Sequence, residues 1–538
     1  MAVENGGSVN TPNGEEYFYQ NPILHADYSD PDVIRDGDDF YMVASSFTYL
    51  PGVPLLHSRD LVHWELINYC VEQLPFSRYD QPAHGCGCWA PSIRKHGEIF
   101  YVFIPLPDEG IFVATAKDPY GKWSLHCLKE SYGCIDPCPF WDEDGKTYMV
   151  FAYAKSRCGI KHRLSICEIS SDATKILSEP VTVYDGTLRN PTIEGPKLYK
   201  RNGYYYIFAP AGGVPQGWQT VLRSQNIYGP YESKIVMHQG NTKINGPHQG
   251  GYVDLGNESG AFIHFQDRGP YGRIIHLQPL DWKDDWPFIG VEQNGDGIGE
   301  PVEVWNYLIQ SKNGIDFKIP TDDEFDGVNL GIQWQWQANP KKEWYDIGKK
   351  KSCLRLYSRN NPVREENLLW YAPNALTQIP QQAEFQATVK VELHAETEGD
   401  QVAFGILGQR YTYLALCRNK GENTLVLREG IVTENVGAGK ADEKMLKQLP
   451  WNSDVLWIRI MMQDGAIYGY AYSENGKDYC KIDGGEKFQA SPCTWTGMKL
   501  VLAAWNIKNR TSTGWADIDF IRFDKKCSRW KGKQNEWN

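Results

Sequence analysis

A pattern that recurs five times constrains this chain more than any other feature. The copies open on Asp30, Trp89, Asp136, Glu194 and His248, and each leads through a polar, Gly-containing turn into an aromatic-aliphatic run: GDDFYMVAS, HGEIFYVFI, EDGKTYMVF, RNGYYYIFA and NESGAFIHF. The lead residues are spaced 59, 47, 58 and 54 positions apart. Strands and turns repeating with a period of about fifty residues mark a β-propeller. The innermost strands of a propeller converge on one axis, so three acids far apart in sequence are expected to meet in one pocket. A second repeat, HSRDLVHWEL, ATAKDPYGKWSL, LRSQNIYGPYE and HLQPLDWKDDWP, supports the period; the third unit keeps only a degraded copy near ICEISSDATKI.

The 538 residues exceed what one core usually holds. The propeller pattern runs from about 17 to 310, and the polar segment SKNGIDFKIPTDDEF marks a boundary. Beyond it the period stops but the β texture persists. LRLYS, LLWYA, AEFQATVKVEL, VAFGILG, YTYLALCR, NTLVLRE, VLWIRIMMQ, IYGYAYS, MKLVLAAW and WADIDFIRF alternate apolar and polar residues between Gly/Asn turns. They predict a two-sheet sandwich over 318–526, so the whole chain reads as all-β. Residues 1–16 and the basic end after Phe523 read as tails.

Aromatic residues make up 13% of the chain, with 19 Trp and 31 Tyr, and their faces suit sugar C–H surfaces as well as strand packing. A net charge of −12 argues against nucleic acid and anionic membranes as partners. There is no apolar run long enough to span a bilayer. Thirteen cysteines without framework spacing, and no basic-then-apolar leader, predict a reduced cytoplasmic protein, or a secreted one whose leader is absent from this sequence.

The three acids share a local grammar. Asp30 and Asp136 are followed directly by Pro, and Glu194 by Gly-Pro. Proline fixes the turn and biases the preceding residue toward extended geometry, which would aim an acid at a strand mouth. Paired carboxyl groups are what glycoside hydrolysis needs. One protonates the leaving oxygen and the other activates water, with inversion when they stand roughly 6.5–9.5 Å apart. A third carboxylate nearby keeps the acid protonated by repulsion.

The stretch from NPILHADYSDPDVIRDGDDFYMVASSFTYLPGV to HWEL, with Trp89-Ala90-Pro91, DPCPFWDEDGKTYMV and EGPKLYKRNGYYYIF, resembles glycoside hydrolase family 43 over about residues 18–285. The resemblance implies a five-bladed propeller of inverting β-xylosidases, α-L-arabinofuranosidases and arabinanases. It implies Asp30 as general base, Glu194 as general acid and Asp136 as the group that tunes the acid. Phe47 and Trp89 would wall the terminal sugar, Arg273 would hold sugar hydroxyls, and His248 would be the axial histidine that approaches a hydrated calcium ion in some members. No cofactor is otherwise required. The spacing of His84, Cys86 and Cys88 is not that of zinc ligand pairs. EFDGVNLGIQWQWQANP resembles the entry to the lectin-like β-sandwich of long family 43 β-xylosidases, of which one loop closes the pocket and favours release of single sugars; 506–514 is the candidate loop. A second candidate place for a calcium ion is between Glu324 and Asp517 or Asp519. The expected activity is exo-acting release of terminal β-D-xylosyl or α-L-arabinofuranosyl units from plant xylo- or arabino-oligosaccharides; oligomerisation stays open. The alternative class is a non-catalytic carbohydrate-binding propeller.

Overall fold

The computed structural model describes residues 7–11, 14–256, 258–309, 317–361, 363–482 and 488–524. Five four-stranded antiparallel sheets follow one another, spanning Asp32–Val71, Ser92–Glu130, Cys134–Asp185, Lys197–Met237 and His248–Ile289. They are the blades of a five-bladed propeller, and each is built from four consecutive strands. Among the described residues no blade borrows a strand from the far end of the chain, so side-chain packing and a short tie from the segment before the first blade close the ring. A separate apolar cluster fills each of the five blade-to-blade seams. The closing seam sets Val33, Met42 and Trp64 of the first blade against Val253, Ile263 and Leu277 of the fifth. The segment before the first blade ties the two together: Ile23 N–H donates to the Ile275 carbonyl at 2.9 Å, and Asn21 Nδ2 to that of Leu277 at 2.8 Å.

The second unit is a β-sandwich of one seven-stranded and one eight-stranded sheet. Period-two burial builds its core. Leu456, Ile458, Ile460 and Met462 alternate with less buried residues along Val455–Gln463 and meet Phe404, Leu414, Leu425 and Leu502 of the other sheet.

Several sequence expectations change. Gly7–Thr11 and Gly14–Gln20 form a hairpin whose second strand pairs with Val304–Asn306, not a loose tail. Tyr19 anchors it, fully buried, with its hydroxyl on the Leu277 carbonyl. LLWYA is not a strand: Leu369–Tyr371 is a 3-10 turn that lays Trp370 on the outer face of the seven-stranded sheet. That sheet ends in Lys440–Pro450, an edge strand rich in lysine and acid that shows no apolar alternation. The segment 310–316 at the expected boundary and the tail after residue 524 lie outside the described residues.

Candidate active site

Register explains how the acids are aimed. Within the blades Asp32 pairs with Val43, Ser92 with Phe103, Cys138 with Val150, Lys197 with Phe208 and Gly251 with Ile263. Two residues earlier stand Asp30, Ala90, Asp136, Gly195 and Gln249, which therefore occupy equivalent places. Four of these five have left-handed backbone: Asp30 and Asp136 at φ 55°, Gly195 at 59° and Gln249 at 34°. The extended geometry expected of Asp30 and Asp136 before proline is therefore not adopted. Strained backbone at matching places is a common mark of a functional site. The frame also corrects the alignment of the acids. Asp30 and Asp136 sit at the strained place itself, whereas Trp89, Glu194 and His248 lie one residue upstream. Gly195 takes the left-handed turn that frees the preceding side chain to be Glu194.

The structure brings the predicted residues to one end of the axis. Arg273 Nη1 donates to both oxygens of Asp30, at 2.8 and 3.0 Å, and Ser45 Oγ donates to Asp30 Oδ2 at 2.6 Å. Three donated bonds onto one carboxyl fit its ionised form. Asp136 Oδ2 accepts the Gly195 N–H at 2.7 Å and so fixes the peptide next to Glu194. Burial, with the charges of Asp136 and Asp30, pushes Glu194 up to about 8. Burial also raises Asp136, against the Gly195 N–H and the nearby Lys197 ammonium. His248 Nε2 lies 3.5 Å from Glu194 Oε1, and burial reinforced by Arg273 lowers His248 to about 3, so it faces Glu194 as neutral imidazole. Beneath the acids a polar layer fills the axis: Lys197 Nζ donates to Ser92 Oγ at 2.9 Å and Arg94 Nη1 to Asp32 Oδ2 at 2.7 Å.

Phe47 and Trp89 meet as a tilted aromatic pair, with ring centroids 6.0 Å apart. A two-way backbone pairing of Phe47 with Cys88 holds them. Gly87 makes that pairing possible: a Cβ there would lie 2.3 Å from the Phe47 carbonyl oxygen. His84, Cys86 and Cys88 form no metal cluster. His84 stacks on Trp370 at 3.6 Å, and the two thiols are buried and free.

The sandwich closes this wall with a residue the sequence reading missed. Trp495, at φ 63° and 51% exposed, sets its ring edge-on to Trp89 at 6.3 Å. It belongs to the loop between Gln489 and Lys499, not to 506–514, where Asn509 bonds Asn361 and the Arg364 carbonyl. The intervening strand Lys499–Asn506 runs eight residues. At a rise of about 3.4 Å per residue, its far end cannot reach the pocket. The same loop and the first residue of the strand after it are bolted to the segment that leads into the first blade. Asp27 Oδ2 accepts from Gly497 N at 2.9 Å and Lys499 Nζ at 3.1 Å, while Asp27 Oδ1 accepts from the backbone N–H of Arg273 at 3.0 Å. The Asp27–Lys499 side chains are each 3% exposed, so this ion pair links the sandwich to the arginine that holds Asp30.

Glu324, Asp517 and Asp519 each have their own cation. Glu324 pairs with Arg522, Asp517 bidentately with Arg355, and Asp519 with Lys390. Glu392, His394 and Asp517 lie within metal-ligating distance of one another, but Arg355 and Lys350 already hold the two carboxylates.

The family model of glycosyl hydrolases family 43 matches residues 19–287, and that of the beta xylosidase C-terminal concanavalin A-like domain matches 322–524. A Xylanibacter ruminicola protein named for beta-xylosidase is 38% identical, over 90% of this chain and 85% of its own. A non-reducing end alpha-L-arabinofuranosidase of Bacteroides ovatus is 30% identical, over 63% of this chain and 64% of its own. The crystal structure of a xylan beta-1,4-xylosidase from Bacillus halodurans superimposes with a TM-score of 0.81 at 23% identity, covering 94% of this chain and 100% of that one. The clamped Asp30, the partly exposed Glu194 raised beside it and the two matching domain models lead to one conclusion: this chain is a glycoside hydrolase and belongs to glycosyl hydrolases family 43.

Proposed function

We propose that the protein releases terminal β-D-xylosyl or α-L-arabinofuranosyl units from the non-reducing ends of plant-derived oligosaccharides, with inversion. The observation that carries this reading is the contrast between two carboxyls at one axis: Asp30 held by Arg273 and Ser45, and Glu194 raised to about 8 by burial and its acidic neighbours. Asp30 takes a proton from water as the water oxygen attacks the anomeric carbon. Glu194 gives its proton to the glycosidic oxygen as that bond breaks. Asp136 holds the Gly195 peptide and shares with Glu194 a desolvated site that disfavours two negative charges at once, which keeps a proton on the pair. Phe47, Trp89 and Trp495 wall the terminal sugar, and the wall contributed by the sandwich favours chain ends over chain interiors. A purely sugar-binding propeller would have no need of a carboxyl held protonated near neutral pH.

The reaction needs no cofactor. Both nitrogens of buried His248 and the side-chain oxygen Oε1 of Gln249 make no hydrogen bond among the described residues, although His248 Nε2 lies 3.5 Å from Glu194 Oε1. These groups suit a hydrated calcium ion held chiefly through its waters, and such an ion would supply fixed positive charge beneath the acids. Chelation should then lower the melting temperature; an unchanged melting temperature and rate would remove calcium from this picture.

Turnover of 4-nitrophenyl β-D-xyloside and α-L-arabinofuranoside tests the activity, and proton NMR of the first-formed sugar tests its stereochemistry. No turnover of either glycoside, or initial release of the retained anomer, would overturn the reading.

A further inference from the structure

The loop that delivers Glu194 is rigid and carries charge that the reaction does not use. Gly186 N–H donates to the His162 carbonyl at 2.7 Å, and the Thr192 N–H donates to His162 Nδ1. Asn190 locks the loop from inside. Its N–H bonds the Gly186 carbonyl, its Nδ2 the Tyr184 hydroxyl, and its Oδ1 accepts from Thr220 and Trp218. Segments 155–162 and 186–194 therefore form one fixed rim beside the acid.

Three cations stand exposed on that rim: Lys155, Lys161 and Arg189. Their neighbours are matched, Arg157 to Asp108 at 3.0 Å and Arg163 to Asp185 at 3.2 Å. Lys155, Lys161 and Arg189 have no ion-pair partner among the described residues. Lys155 and Lys161 both bear electrostatically on His162, and Lys161 on Glu194; Arg189 stands on the facing segment, which His162 ties down through Gly186 and Thr192. In a chain of net charge −12, unmatched positive charge beside the catalytic acid stands against the background. Leu188, between Thr187 and Arg189, is 94% exposed although its loop is tied down on both sides. An apolar side chain held out beside three unpaired cations fits the face of a sugar that carries an acid.

We propose that Lys155, Lys161, Arg189 and Leu188 form a subsite on the leaving-group side for sugars bearing a carboxylate, so that uronosyl-branched oligosaccharides are preferred substrates. The assignment of sides rests on the reading of Glu194 as the acid, because the sugar beyond the protonated oxygen must pass the loop that carries it. The cations would add affinity and on-rate for an anionic branch without touching the bond that breaks.

The test compares kcat/KM at about pH 6, below the region where Glu194 titrates, on three substrates. These are an unbranched xylo-oligosaccharide, the same chain with a glucuronosyl branch on the leaving-group side, and that branched chain with its carboxyl methyl-esterified. The wild type should cleave the acid about fivefold better than the ester at low salt. The ratio should fall to about one in 0.5 M salt. It should also fall to about one in the triple variant Lys155→Gln/Lys161→Gln/Arg189→Gln, whose unbranched activity stays within about twofold. Equal rates on acid and ester in the wild type, failure to cleave either branched chain, or a ratio that survives the triple substitution would each overturn the subsite. If no xyloside or arabinofuranoside were turned over at all, the functional reading itself would fail; loss of the acid–ester ratio alone leaves that reading intact.

Discussion

On one side of the cavity Asp30 receives two hydrogen bonds from Arg273 and one from Ser45. Glu194, at the same axis, faces a neutral imidazole at 3.5 Å and two other carboxyls. The residue types are nearly the same, so their roles are set by what surrounds them. An arginine supplied by the fifth blade favours a base; burial among acids favours an acid.

Removing either carboxyl breaks the contrast outright. Asp30→Ala and Glu194→Ala should each cost about 10³–10⁴ in kcat on xylo-oligosaccharides. The two differ on nitrophenyl glycosides, whose leaving group needs little protonation: Glu194→Ala should recover most of its rate there and Asp30→Ala should not. Equal recovery in both variants would erase the distinction drawn here. Arg273→Met should cost about 10²-fold in kcat, with a smaller rise in KM, because the base loses its cation. A pure KM effect would make Arg273 a sugar ligand only.

The seam between the units sharpens the comparison more gently. Lys499→Met leaves Asp27 buried without its cation, at a cost of about 3 kcal/mol in stability, and should lower kcat/KM about tenfold through Arg273. The double variant Asp27→Leu/Lys499→Leu should melt above Lys499→Met, since an apolar pair removes the stranded charge. If Lys499→Met kept wild-type kcat/KM, the sandwich would be a wall and nothing more.

The smallest effect concerns stability. Glu194 titrates higher in the fold than in the unfolded chain, so its contribution is fully present below the ordinary carboxylate range. It is lost as pH rises toward about 8. Glu194→Gln should therefore melt about 1–3 °C above wild type near pH 8 and level with it near pH 4. A variant that melts lower at pH 8 would mean that Glu194 is not strained there.

Asp30, Asp136 and Glu194 could be read because each is tied to a proline and a repeated strand, a pattern that survives without coordinates. Their relative register could not. Gly195, rather than Glu194, is the equivalent of Asp30, and only the strand pairing shows it. The arginine clamp was half legible: Arg273 could be named, but not the hold on it by Asp27, which reaches Gly497 and Lys499 some 470 residues away in sequence. Trp495 carries no local signal; it is one of 19 tryptophans, and its place by Trp89 depends on how two units dock. The strand Lys440–Pro450 was missed because an edge strand guarded by charge lacks the alternation that marks its neighbours.

The pH dependence of kcat/KM on an unactivated xylo-oligosaccharide tests most directly whether environment alone divides the two roles. The account predicts a basic limb well above the ordinary carboxylate range, set by Glu194 with its raised neighbour Asp136, with Glu194→Gln too slow to show it. A limb near pH 5, or one that persists at wild-type rate in Glu194→Gln, would contradict it.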